Sequence, residues 1–406
     1  MELNGRINYI WIMPQSHRTT PTIRIFFILL LLVSWSTATH AQQERFKFLG
    51  EHSDDVEVVS VCPNGKFIAT GSWDKTIKVF ETDSSFSWYQ SLIGHQSAVT
   101  CLDFSRDGEM ILSGGKDYRI ILWRHIEEGT GYYQDTVFGT VHTSPITDVI
   151  IGPTKRMIYS AGADGKIMVY DLLKKKARII DNKSPIRDIC LSTNRRFIYC
   201  VDETTLVKQY DAFGRVVKTF EGHEDYVNAV VYSLNNKYLV TASSDKTAIV
   251  WNPLTGDPIH KLEGHDWKVT DLAITMDSRY LLTGSTDGSA KLWDLNDGSE
   301  VRSFDGNGSN VRSVAFSRNS KYVFIALHTS EQEDEYGVGV WMSGIEPPKA
   351  GTITNGGRAR QLPPHLQKYA PKTSSKAKAA PRKKASPKPS KGKVIEETDE
   401  VKIMQD

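Results

Sequence analysis

A histidine, a serine or threonine, an aspartate and a tryptophan recur along this chain in one order and one register. The full sets are His95, Ser113, Asp117 and Trp123; His223, Thr241, Asp245 and Trp251; and His265, Thr283, Asp287 and Trp293. Serine, histidine and aspartate are the groups of a nucleophilic hydrolase, where imidazole takes the hydroxyl proton and carboxylate orients the ring. Such an enzyme needs the set once. Here it is repeated, and partial copies extend it: His52, Thr70 and Asp74 with Phe80, and His142, Ser160 and Asp164 with Tyr170. A part required in every repeat is architectural, so no catalytic residue is assigned. The chain also lacks Gly-x-x-x-x-Gly-Lys-Ser/Thr, His-Glu-x-x-His, Gly-x-Ser-x-Gly and Cys-x-x-Cys, which leaves no phosphate loop, zinc site or nucleophile elbow. No metal and no cofactor are expected.

The elements that carry these residues form an internal repeat. A His or Asn stands four residues before a Val or Ile at His52/Val56, His95/Val99, His142/Ile146, Asn182/Ile186, His223/Val227, His265/Val269 and Asn307/Val311. The steps are 43, 47, 40, 41, 42 and 42 residues, and the seven units run from Phe46 to Met342. The sixth unit shows the pattern best. Val269–Ile274 alternates apolar and polar residues as a half-buried strand does. Tyr280–Gly284, Ala290–Trp293 and Val301–Phe304 follow as further strands, separated by turns at Asp277-Ser278, Thr286-Asp287-Gly288 and Asn296-Asp297-Gly298. Four short strands joined by tight turns predict one antiparallel sheet per unit.

Gly94-His95…Trp123-Arg124, Gly222-His223…Trp251-Asn252 and Gly264-His265…Trp293-Asp294 resemble the Trp-Asp (WD) repeat family. The resemblance covers about three quarters of the chain and implies an all-β, seven-bladed β-propeller. It also implies that each His, Ser/Thr, Asp and Trp set is hydrogen-bonded within its blade. The chemistry is self-consistent, because indole only donates, hydroxyl and imidazole do both, and carboxylate accepts. Blade four offers Asn182, Cys200, Thr204 and Tyr210, and blade seven only Asn307 and Trp341; both are expected to be the least rigid. The seventh unit ends its third strand at Val338–Trp341 and meets Pro347-Pro348, which cannot continue a ladder. Phe46–Gly50 resembles a fourth strand, so the N-terminal strand is expected to close the ring.

In this family partners dock on the face bearing the loops before strand one and between strands two and three. Here that implies Trp73, Tyr226 and Trp267 as aromatic anchors for a protein or peptide partner, with Lys183, Arg187, Lys268 and Arg312 nearby. A longer connection at Thr329–Gly337, with Glu331, Glu333, Asp334 and Glu335, is expected to form an acidic flap there. The connection Glu127–Tyr133 belongs to the opposite face. A propeller enzyme would need carboxylates or histidines at the inner strand ends, and the alternating register assigns none.

Of 406 residues, 39% are hydrophobic and 10% aromatic, and the net charge is +2, as in a globular protein with a large core. A mean hydropathy of −0.36 excludes a multi-span membrane protein. The charge is unevenly spread: about −7 over residues 45–344 and +8 over 345–406. Residues 1–43 read as a targeting segment, with Arg18 and Arg24 before the apolar run Ile25–Val33 and a small-residue site ending at Ala41. Nine apolar residues are too few to span a bilayer, so export after cleavage near Ala41 is expected, with Met13 as the start. The alternative is a cytoplasmic or membrane-tethered protein.

The propeller is assigned to 44–344 and a disordered tail to 345–406. In the tail, Lys368–Lys393 holds ten Lys/Arg and no Asp/Glu, which keeps it solvated. It serves as a spacer or meets an anionic polymer or a membrane surface; nucleic acid is a further reading. The cysteines Cys62, Cys101, Cys190 and Cys200 are placed on strands as small buried fillers. In an exported protein Cys190 and Cys200 are the local disulfide candidates, though register sets them diagonal.

Overall fold

The computed structural model describes residues 47–83, 85–126, 131–139, 141–306, 308–328 and 336–345. The targeting segment, the basic tail, Asn307 and the acidic residues of 329–335 lie outside the described residues. Among the described residues the chain is all-β, with seven four-stranded antiparallel sheets and no helix. The first strands of the blades, starting with Val56–Val61 and ending with Asn310–Phe316, touch one another in sequence and the last meets the first, so the ring closes around a channel. Lys47–Leu49 completes blade seven, pairing Lys47 with Val340 and Leu49 with Val338. This closure removes the open edges that a seven-sheet array would leave.

Blade six follows the sequence pattern: Val269–Ile274, Tyr280–Ser285, Ser289–Asp294 and Glu300–Asp305. Neighbouring blades pack closely where the second strand ends. A Cβ on Gly284 would stand 2.6 Å from the Val311 side chain of the next blade, and one on Gly114 would stand 2.5 Å from Ile146. Glycine is therefore needed for the approach. Between blades the core is aliphatic and aromatic, as where Leu282, Leu292 and Phe304 meet Val311, Val323 and Trp341.

Every blade breaks strict alternation at the same point of its first strand, and five blades shift register again between strands three and four. The first and second strands shift register directly after the anchor Val or Ile, at Val56/Val58, Val99/Cys101, Ile146/Asp148, Ile186/Asp188, Val227/Ala229, Val269/Asp271 and Val311/Ser313. A bulge leaves one residue unpaired and re-aims its neighbours. Hence in blades one, three, four and six two successive residues, not one, stand half-exposed after the buried anchor, as in Val56–Val61, Ile186–Leu191 and Val269–Ile274.

Candidate functional site

Strands run alternately up and down, so the connections before strand one and those between strands two and three share one face. The bulged residues open towards the channel beneath that face. Arg187, Arg312 and Glu57 are the charged members of this upper ring, with Thr100, Thr147, Asn228 and Thr270 between them. With Lys116 and Lys268 from the face connections they line a mouth cavity of about 310 Å³. Many of these side chains also stitch blades together. Thr270 donates to the Val311 carbonyl at 2.8 Å, Thr100 to Ile146 at 2.6 Å, and Asn228 to Val269 at 2.8 Å. Three other atoms facing the same space, Arg187 Nε, Arg312 Nε and Thr147 Oγ1, are buried without a hydrogen-bond partner.

The expected anchors are placed on this face, but not as three free aromatics. Trp73 is 39% exposed. Its indole N–H donates to Glu57 at 2.9 Å and Lys116 Nζ lies 3.5 Å above its ring. Tyr226 is 46% exposed and carries the Arg187 guanidinium 5.5 Å from its ring centre. Such cation–aromatic contacts position a charge while leaving its N–H edge available. Trp267, at 65%, is the anchor left open. Lys268 and Arg312 join Arg187 at the cavity, whereas Lys183 is exposed on the connection before Ile186 and does not line it.

One level deeper the channel holds Asp148, Asp188 and Asp271, alongside Val58, Cys101, Ala229 and Ser313. This corrects the expectation of no inner carboxylates. The cause is the bulge: each aspartate stands two residues after its anchor, where strict alternation would bury it between blades. That fixed offset was the available signal. The carboxylates are interblade staples. Asp188 accepts the Val230 N–H at 2.7 Å, Asp271 accepts Val314 at 2.8 Å, and Asp103, on the blade-two strand, accepts Ile151 at 2.6 Å. Burial pushes Asp103 up to about 7. Burial also raises Asp148 and Asp188, which share a hydrogen bond and repel each other's charge, and it raises Asp271. The described residues contain no group of side chains arranged to hold a metal ion.

The repeated sets are hydrogen-bonded chains. In blade five, Trp251 Nε1 donates to Thr241 at 2.8 Å, His223 Nε2 meets the same hydroxyl at 2.8 Å, and His223 Nδ1 meets Asp245 at 2.8 Å. Blades two and six repeat this through Trp123, Ser113, His95 and Asp117, and through Trp293, Thr283, His265 and Asp287. Blades one and three keep the His52–Asp74 and His142–Asp164 pairs, with Thr70 and Ser160. The hydroxyl residues are fully buried in all five, and both imidazole nitrogens are engaged, so none is placed to attack a substrate. At the aspartates burial works to raise the carboxyl, but hydrogen bonds from histidine and neighbouring donors outweigh it and hold Asp74, Asp117, Asp164, Asp245 and Asp287 below the usual range.

Blade four, which lacks the histidine, carries a substitute network. Tyr210 donates to Asn182 at 2.7 Å, Asn182 donates to Asp202 at 2.8 Å, and Lys208 Nζ reaches Asp202 at 2.6 Å and Asn182 at 3.0 Å. Cys200 and Thr204 occupy the usual Ser/Thr and Asp places, and the carboxylate comes from Asp202, two residues earlier. All four cysteines are free thiols, and Cys62 lies just past its strand rather than on it.

The repeats match the family model "WD domain, G-beta repeat" at residues 43–81, 86–124, 135–171, 214–252, 256–294 and 298–330, more than half of the chain. The chain belongs to the WD-repeat family. The stretch between 171 and 214, left unmatched, holds the first three strands of blade four, where the substitute network lies. Among relatives of this WD-repeat propeller, "Protein transport protein SEC13-2" of Candida glabrata is 30% identical over 222 residues, 46% of this chain and 73% of that protein. "Pre-mRNA-processing factor 19 homolog 2" of Arabidopsis thaliana is 26% identical over 50% of this chain and 40% of its own. "Nuclear distribution protein PAC1" of Coccidioides posadasii is 25% identical over 52% and 41%. The chain spans less than half the length of these last two.

Proposed function

We propose that this WD-repeat propeller is a non-catalytic scaffold that holds a protein or peptide partner on the face carrying Trp73, Tyr226, Trp267, Lys268, Arg187 and Arg312. The observation that carries this reading is an open tryptophan and two cation-capped aromatics on the face whose cavity holds their cations Lys116 and Arg187 and unpartnered polar atoms. Concave sites with a few convergent polar groups are where ligands bind, and exposed aromatics anchor partners. The buried clamps supply no accessible nucleophile, which favours holding over turnover. Relatives named for protein transport, pre-mRNA processing and nuclear distribution support an assembly role. The test is affinity capture from the protein's own cells with Trp73→Ala combined with Trp267→Ala. A partner recovered with the parent chain is expected to be lost while the melting temperature is kept; undiminished capture removes this face.

The same reading places the protein outside the cytoplasm, supported by Arg18, Arg24, the apolar run Ile25–Val33 and the small-residue site at Ala41. Its basic tail then meets an anionic polymer or membrane surface through Lys368–Lys393. The N-terminal residue of the protein isolated from its own cell checks this: a chain starting at Gln42 is expected, and one starting at Met1 or Met13 returns the protein to a cytoplasmic or tethered form.

A further inference from the structure

We infer that the mouth built by Arg187, Arg312 and Lys268 receives the carboxylates of an acidic peptide segment of the partner, an assignment that rests on the face proposed above. The mouth cavity has four cationic side chains, Lys116, Arg187, Lys268 and Arg312, against one anionic lining residue, Glu57. This surplus sits on a body whose net charge is negative, so it is local and not a general basic surface. The cations are held by the fold. Arg187 and Arg312 are bulge residues of blades four and seven, three blades apart in a ring of seven, and so face one another across the channel.

Part of their donor capacity is unused. Both Nε–H groups are buried without an acceptor, and so is the Thr147 hydroxyl. Arg187 makes only long contacts, to Asn228 at 3.3 Å and Glu203 at 3.4 Å, while its face rests on Tyr226. A buried donor left unpaired costs free energy that an incoming acceptor recovers, and a planar carboxylate matches the edge of a guanidinium. Size and depth select the occupant. About 310 Å³ admits one or two side chains rather than a folded domain. Asp148, Asp188 and Asp271 line the space below together with the same arginines, so the cationic excess is confined to the mouth. Trp267, exposed and next in sequence to the lining residue Lys268, provides apolar contact for the rest of the peptide.

The test uses the full chain and a hexaglutamate peptide with a terminal photo-crosslinker, with the adducts mapped by mass spectrometry. Adducts on the face connections near Tyr226 and Lys268 are expected. They should fall about tenfold in Arg187→Gln with Arg312→Gln, the loss of roughly one charge-assisted bond, and recover in part in Arg187→Lys with Arg312→Lys. Lys174→Ala with Lys175→Ala, on the opposite face, should change nothing. Unchanged melting temperatures show that the variants fold. Adducts confined to Lys368–Lys393, or unaffected by the arginine variants, overturn the inference. So does displacement by hexaglutamine, or by inorganic phosphate at equal concentration, which would make the mouth a phosphate site. A partner lost with the tryptophan variants but retained with the arginine variants overturns the acidic segment alone; one retained with both removes the face.

Discussion

In blade five, Asp245 receives hydrogen bonds from His223, from the Thr247 hydroxyl and from the backbone amides of Glu224 and Thr247. In blade four, Asp188 faces the channel with Asp148 and Asp271 as neighbours; it accepts the backbone N–H groups of Val230 and Ile189 and shares a hydrogen bond with Asp148. Both carboxylates are enclosed by the propeller, yet the first is held below the ordinary range and the second above it. Burial raises both. Donors reverse its effect at Asp245, and like charges add to it at Asp188. The outer clamps are thus built to stay charged, and the channel staples to take up protons.

The largest expected effect comes from breaking a clamp. Asp245→Ala leaves His223 and two backbone amides without their acceptor and is expected to cost about 3 kcal/mol in urea denaturation at neutral pH. A cost no larger than that of an exposed substitution would remove the distinction between clamp and channel. Next is the substitute network of blade four. The Asp202 side chain is fully buried against Lys208, so Lys208→Met should cost about 2 kcal/mol, with part of it restored by Asp202→Asn. No loss would mean that the fourth blade has no working clamp.

Proton linkage sharpens the comparison. A raised carboxyl contributes stability below its unfolded value that is lost as pH rises through the folded value. For Asp103 that window runs from the ordinary 3.8 to about 7, and Asp148, Asp188 and Asp271 act in the same direction. Asp188→Asn keeps an acceptor and is expected to flatten the fall in stability over this range, gaining about 1 kcal/mol at pH 8. The depressed clamp aspartates have the opposite sign: their contribution is present above the unfolded carboxyl value and is lost as pH falls through the folded one. Melting curves of both proteins from pH 3 to pH 9 check both slopes. The smallest effect is expected for Trp123→Phe, about 1 kcal/mol, because Ser113 keeps its contact with His95.

Much of the fold was legible because it is local and repeated. The anchor spacing marks seven units, the turns bound four strands in each, and the unfinished seventh unit points to Lys47–Leu49 as its closing strand. The clamp sets were legible for the same reason, since their members share one blade. The substitute clamp of blade four was not legible, because its carboxylate moved two residues, from Thr204 to Asp202, and its counter-cation, Lys208, comes from the third strand.

The sequence by itself determined the repeat, the sheets, the buried clamps and the face on which Trp73, Tyr226 and Trp267 stand. The repeat and the sheets follow from periodicity within single units; the clamps and the face follow from the resemblance of those units to WD repeats. Only the tertiary structure decided the channel. A bulge after each anchor breaks the two-residue period, so consecutive side chains turn inward, and ring closure sets Arg187 opposite Arg312 and gathers Asp148, Asp188 and Asp271. It also laid Lys116 on Trp73 and Arg187 on Tyr226. Those pairings join residues about 40 apart, on neighbouring blades, and no pattern within one repeat contains them.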